Sequence, residues 1–187
     1  IALIVKFMAN YFFMPGEYPP VLTRSEAAND DFLFQQGAAK GLGKIQFHDY
    51  NLAYGLYDLP NIRLFREQID TLKGFLASAT PSDAQQKDTD FLLALGELFT
   101  LVVYGQLILE NARLYQVDDD TVDQIFDFMV RDFSKYALQL YSKPSATSQQ
   151  MDICLKMIRK PVTDMARFER VWQNSVYSLR DAYEMKP

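Results

Sequence analysis

The protein has 187 residues, of which 49% are hydrophobic, 14% aromatic and 23% charged. This composition excludes a disordered chain and suits one domain with a sizeable core. The 19 basic and 24 acidic residues give a net charge of −5, which argues against a general nucleic-acid-binding protein, because such proteins gain affinity by neutralising phosphates. One Cys excludes an internal disulfide, and one Cys with one His excludes the usual zinc sites. We expect a cytoplasmic location, since this cysteine usage fits a reducing compartment.

The chain opens on an apolar run from Ile1 to Val5, without an initial Met. Natural N-termini are usually polar and loosely held, and the basic start of a secretory signal is missing. We therefore interpret the chain as a piece of a longer protein that opens within a helix ending near Phe13. This helix should expose an apolar side if the chain is such a piece, and bury it if the chain is self-contained.

A loop-rich segment follows the first helix and extends to about Tyr50. Its density of Pro and Gly interrupts helices, and its aromatic residues predict that it lies against the core. We divide the chain into residues 1–58, an N-terminal helix with a loop-rich segment, and residues 59–187, a helical bundle. The two parts together are expected to form one structural domain.

Beyond residue 59, apolar residues recur at helical spacing. One stripe follows Asn61, which is expected to cap its helix, and ends at Thr80. The pair Ser82 and Gln85 has the spacing of a capping box and predicts the start of a long helix that ends near Tyr115.

This long helix is apolar on nearly all sides from Phe91 to Leu109. Its length would allow a membrane span, which takes about 20 apolar residues. Glu97 and Gln106 interrupt the run and no basic cluster flanks it, so we favour a buried central helix over a span. Gly96 and Gly105 should let neighbouring helices approach closely.

Three further helices are predicted in the C-terminal part of the chain. Asp118 to Asp120 open the first, since carboxylates suit a helix N-terminus, and a second capping box begins the next one at Thr147. The last should start at Asp164. We expect it to bury Phe168, Val171, Trp172, Leu179 and Tyr183. No segment alternates with period two, which predicts an all-α helical bundle with a central apolar helix and a Pro/Gly-rich loop region near the N-terminus.

Few residues suggest chemistry. His48 and Asp49 are the single imidazole–carboxylate pair, but neighbours on a loop rarely orient each other for catalysis, so a structural His is favoured. Cys154 lies on an apolar stripe, where a buried small hydrophobe is favoured over a reactive thiol. The glycines of residues 37–44 miss the spacing of a phosphate loop, and Ile45 stands where Ser or Thr should hold magnesium.

Two clusters of charged residues are candidates for ion or partner binding. The acidic run that includes Asp123 lacks the Gly and the distal Glu of a calcium hand, and is read as helix-start charge. Four cations follow a Pro-marked corner, where they form a solvated face or meet an anionic partner; they are Arg159, Lys160, Arg167 and Arg170. We assign no catalytic, cofactor-binding or metal-binding residue.

Three stretches carry a likeness to a known family. They are FLFQQG at residues 32–37 running on to GLGKIQFHD at 41–49, LGELFTLVVYGQ at 95–106, and IRKPV at 158–162 with RFERVW at 167–172. Together they resemble the C-terminal region of large bacterial acyl-CoA dehydrogenases, those with a helical extension after the common dehydrogenase core. The likeness covers most of the chain.

The resemblance implies a parent flavoenzyme that removes hydrogens from Cα and Cβ of an acyl-CoA thioester. FAD and the acyl group would then be bound upstream of this chain, and the catalytic Glu of the family matches no position here. The implied role of the chain is packing or oligomer contacts, with the upstream dehydrogenase core and a homo-oligomer as partners and without nucleic acid. A free-standing helical module that binds a lipid-like ligand or a partner helix is the alternative, while an enzyme complete in this chain is disfavoured.

Overall fold

The computed structural model describes residues 5–16 and 45–182. Within these ranges the chain forms α-helices and no strand, which confirms the all-α prediction. The helices are α1 (Met8–Phe13), α2 (Tyr50–Tyr54), α3 (Pro60–Ser78), α4 (Thr89–Leu114), α5 (Asp119–Tyr141), α6 (Ser148–Met157) and α7 (Met165–Val171). The predictions for Ile1 to Ile4, for residues 17–44 with their glycine-rich loop, and for Tyr183 lie outside the described residues.

The stripe of α3 is buried as its spacing predicts. Ile62, Phe65, Ile69 and Leu72 are at most 1% exposed and pack against α5 and α6. The cap prediction for Asn61 is wrong, because the helix already begins at Pro60, whose fixed φ suits the first helical position. Asn61 is instead fully buried among polar partners described below.

The capping box at Ser82 forms, but it does not start the long helix. The backbone N–H of Ser82 donates to Gln85 Oε1 at 3.0 Å, and the backbone N–H of Gln85 donates to Ser82 Oγ at 3.3 Å. A short 3-10 turn follows at Gln85–Lys87. Helix α4 then begins at Thr89 because the Asp88 carboxylate accepts the free N–H groups of Asp90 and Phe91.

Helix α4 lies against α5 and α2. Gly105 allows this close approach, since a Cβ there would collide with the Tyr54 hydroxyl and lie 3.1 Å from Met129 Cε. Tyr54 is fully buried and donates its hydroxyl to the carbonyl of Val102 at 2.8 Å. The prediction that a small residue admits a neighbouring helix is therefore confirmed at Gly105.

The N-terminal helix joins the same hydrophobic core as the bundle. Met8, Tyr11 and Phe12 of α1 are buried, and Tyr11 stacks on Tyr50 with ring centroids 5.2 Å apart and meets Phe99 edge-on. One side of α1 is therefore covered, while Phe13 is 50% exposed, and Ile1 to Ile4, which belong to the same predicted helix, lie outside the described residues.

The C-terminal helix departs from its prediction. Asp164 caps α7 as expected, accepting the N–H groups of Ala166 and Arg167. Phe168, Trp172 and Leu179, however, are 44%, 44% and 50% exposed. The apolar spacing identified the correct helix but the wrong buried residue, because the side chain of α7 that enters the protein is Arg167.

Candidate functional site

Exposed apolar residues lie along one side of α4. Tyr104 and Leu107 are 58% and 48% exposed, and they share this side with other exposed apolar residues, since spacings of three, seven and eleven return to one side of a helix. We call this surface the α4 face. Its exposed apolar members are Leu93, Tyr104, Leu107, Leu114 and Tyr115, with Leu101 and Ile108 partly buried.

The opposite side of α4 is equally apolar and faces the core through residues such as Leu98, Phe99 and Val102. In the described part of the chain, α4 is the one helix long and apolar enough to cross a membrane, judged by length and composition, and half of its most apolar stretch is buried in the protein. The predicted central helix is thus covered by its own protein on one side only.

A second candidate site surrounds His48. Asp49, the neighbour of His48 in the sequence, caps α2 with its carboxylate, which accepts the N–H of Asn51 at 2.9 Å. His48 Nδ1 lies 3.5 Å from Glu110 Oε1. The imidazole therefore lies beside a carboxylate that is distant in sequence.

A chain of hydrogen bonds connects Glu110 to the core. Gln106 donates to Glu110 Oε1 at 2.8 Å and accepts the hydroxyl of Tyr11 at 2.6 Å. Burial, followed by the nearby Tyr50 and Glu110, raises the pKa of Tyr11 well above its ordinary value, so this hydroxyl remains protonated and acts as a donor.

A cavity of about 530 Å³ lies beside His48 and Glu110. Apolar residues of α2 and α4 line it, with Arg113 as a third polar group. An apolar cleft with a few convergent polar groups suits ligand binding. Among the described residues, no hydroxyl or thiol side chain lines this cavity.

The remaining candidates have structural roles. Cys154 is fully buried, and burial raises the pKa of its thiol to about 12, which keeps it protonated and unreactive. Asp118 caps α5 by accepting the N–H of Thr121 at 2.9 Å. Within the described ranges, no cluster of His, Cys, Asp and Glu could hold a metal ion.

The four cations of the Pro-marked corner do not form one patch. Arg170 makes a two-pronged ion pair with Asp120 at 2.6 and 2.7 Å, and Arg167 is buried against α5. Only Arg159 and Lys160 remain together at the surface. The sequence pattern therefore groups residues that the fold separates.

Two buried carboxamide side chains of α3 have structural roles that the sequence analysis did not predict. Asn61 bonds with Asp123 and Val162, and Gln68 donates to the carbonyls of Val130 and Met157 at 3.2 and 2.8 Å. A signal was present, because both residues interrupt the buried apolar side of α3 at a spacing of seven.

Comparison of the chain with protein-family models, with curated proteins and with solved structures gives no match.

Proposed function

We propose that this chain is an accessory helical domain of a protein resembling a large acyl-CoA dehydrogenase, and that it packs against the rest of that protein through the α4 face. The parent reaction would be FAD-dependent α,β-dehydrogenation of acyl-CoA thioesters. The observation that carries the proposal is the set of exposed apolar residues on the α4 face, since exposed apolar patches bordered by polar residues mark contact sites. The resemblance of three sequence stretches supplies the identity of the partner.

The composition of the α4 face favours a protein partner over lipid. Three polar residues also lie on this side of the helix and are partly or fully exposed: Glu97, Thr100 and Asn111. An ionised Glu is costly at bilayer depth. A protein partner can supply hydrogen bonds to such groups, whereas lipid tails cannot.

The test compares the 187-residue chain with the longer protein encoded around it. The DNA upstream of the Ile1 codon should encode a dehydrogenase core, and the longer protein should bind FAD while the chain alone binds none. Hydroxyl radicals should modify Tyr104 in the chain alone, and the rate of this modification should be at least about fivefold lower in the longer protein. Contact with the partner excludes both water and the reagent from such a surface.

Phe128 of α5 is the matched control, because it is equally exposed at 58% but lies on another helix. It should be modified alike in both samples. An upstream sequence without a dehydrogenase core, or equal modification of Tyr104 in both samples, contradicts the proposal. So does flotation of the chain with phospholipid vesicles that a Leu107→Glu substitution abolishes.

A second candidate function has its own supporting observation. A groove of about 390 Å³ lies between α1, the end of α3 and the start of α4, lined mostly by apolar residues such as Phe13, Leu76 and Leu92, with Lys6 beside them. An acyl chain with an anionic head would suit this groove. A retained acyl ligand in the native mass spectrum of the purified chain would favour this module, and a spectrum of the bare chain would count against it.

A further inference from the structure

A short extended segment joins α6 to α7 and is held at two points. We call residues 158–163 the strap. At one point, Ser134 Oγ lies 2.9 Å from both the backbone N and the backbone O of Arg159. At the other, Asn61 Oδ1 accepts the N–H of Val162 at 2.8 Å, and Asn61 Nδ2 donates to the carbonyl of Val162 at 3.2 Å.

These contacts fix the backbone of the strap on both sides of Lys160 and Pro161. Gln68 strengthens the first point, since its Nε2 donates to Ser134 Oγ at 3.1 Å and to the carbonyl of Met157, immediately before the strap. The ring of Pro161 restricts the backbone further. The strap is therefore a rigid support for the side chains that it carries, which reduces the ordering cost of binding.

A cavity of about 570 Å³ lies between the strap and α5. Arg131, Arg159, Lys160 and Thr163 supply its free hydrogen-bond donors, and Ser134 and Pro161 complete its lining. Three cations in one cavity are unusual in a chain with a net charge of −5. The carboxylates near the cavity determine how much of this positive charge is already neutralised.

The carboxylates near these cations neutralise them only in part. Asp127 contacts one amino group of Arg131 at 2.7 Å, and the same guanidinium lies 5.9 Å from the ring centroid of Phe128. Glu67 lies 3.6 Å from Arg159, beyond hydrogen-bond distance. Lys160 and the hydroxyl of Thr163 have no partner among the described residues.

We propose that this cavity binds the phosphoryl group of a small phosphate monoester. Arg forks match the spacing of phosphate oxygens, and the compact ammonium of Lys adds a point charge. The cavity offers two guanidinium groups, one ammonium and one hydroxyl, which is more donors than the two oxygens of a carboxylate can accept. A phosphoryl group has three free oxygens and a second negative charge, so it satisfies the set better.

The test is a titration followed by NMR, using the 187-residue chain with inorganic phosphate and with glycerol 1-phosphate as probes. The backbone amide resonances of Arg159, Lys160 and Thr163 should shift saturably. Acetate at equal ionic strength should not reproduce the shifts. The double substitution Arg159→Gln with Lys160→Gln should lower the association constant for both probes at least about tenfold, because it removes two charge-assisted contacts.

The control variant is Arg63→Gln with Arg180→Gln, which removes the same charge from exposed arginines elsewhere on the surface. It should bind like the unmodified chain, and circular dichroism should show that both variants keep their helix content. Ser134→Ala keeps all three cations but loosens the strap, so it should weaken binding by a smaller factor. Each of three results would overturn the proposal. Acetate could reproduce the shifts, the Arg159→Gln, Lys160→Gln variant could bind phosphate with unchanged affinity, or the chain could bind an Asp-rich peptide in place of phosphate.

Discussion

Buried carboxamides join elements that are distant in sequence. The glutamines of the two capping boxes, Gln85 and Gln150, donate to each other at 2.7 and 3.1 Å. Each Oε1 also accepts the backbone N–H of its own box, from Ser82 or from Thr147. One pair of side chains therefore completes two helix-start motifs and fastens the turn before α4 to the start of α6, with its buried polar atoms satisfied.

At the residue scale, the cap at Asp88 makes stability depend on pH. A hydrogen bond from Ser145, followed by the N–H of Phe91, lowers the pKa of the Asp88 carboxyl from its ordinary value of 3.8. The ionised form therefore stabilises the fold, and this contribution is present above the unfolded-state pKa and is lost as the pH falls through the folded-state pKa. We expect Asp88→Asn, which keeps a good N-cap residue, to reduce the loss of stability in urea unfolding between about pH 5 and pH 3.

The control for this prediction is Asp83→Asn in the neighbouring turn. No hydrogen bond or ion pair of the described residues involves the Asp83 carboxylate, so this variant should keep the pH dependence of the unmodified chain. The same loss of stability in Asp88→Asn and in the unmodified chain would refute the assignment.

At the element scale, α4 differs from α3 and α5 in its pattern. Helices α3 and α5 are amphipathic: one apolar stripe is buried, and the charged residues lie at the surface except Asp123 and Asp127 of α5, which pair with Arg167. Helix α4 is apolar on its buried and exposed sides alike. Burial within the described structure accounts for the apolar stripes of α3 and α5, whereas it leaves the exposed apolar residues of α4 unaccounted for, and our proposal places a partner on them.

Two glycines provide a matched test of helix packing. Gly105→Ala adds a methyl group against the Tyr54 hydroxyl, and we expect a loss of about 1–3 kcal/mol in the free energy of unfolding. Gly74→Ala in α3 places its Cβ in open space and should gain up to about 1 kcal/mol from helix propensity. Urea unfolding measures both values. A gain in both variants would show that Tyr54 does not press on α4 at Gly105.

At the scale of the whole molecule, charge holds α7 in place. Arg167 is buried and pairs with Asp123 and Asp127 of α5, while Asn61 donates its backbone N–H to Asp123 at 2.8 Å. The apolar residues of α7 and the turns after it, including Phe168 and Trp172, are exposed. The C-terminal segment is therefore attached through a buried ion network, and its apolar surface is a further candidate for partner contact.

Removing the buried cation tests this attachment. Arg167→Leu leaves the buried carboxylate of Asp123 without a cation and Asp127 with Arg131 alone, and we expect the free energy of unfolding to fall by about 3–5 kcal/mol. Arg170→Leu breaks the exposed pair with Asp120 and should cost at most about 1 kcal/mol. Equal losses in urea unfolding would contradict the network. Adding Asp123→Asn and Asp127→Asn to Arg167→Leu should recover part of the loss.

The sequence alone was sufficient for features that depend on neighbouring residues. Helical periodicity located α3, α5 and α6, and the spacing of Thr147 and Gln150 identified a cap whose two hydrogen bonds both form. Asp118, Asp164 and the buried Cys154 follow from the same local rules. These features could be predicted because a helix and its cap are formed by residues at most one turn apart.

The tertiary structure alone decided which side chains meet. His48 lies beside Glu110, Arg167 enters the core while Phe168 does not, and Asn61 binds the strap and Asp123 instead of capping α3. Each outcome depends on a partner at least 40 residues away in the sequence or on how two helices face each other. Local spacing contains no information about such distances, so the α4 face and the strap cavity become visible only when the helices are packed together.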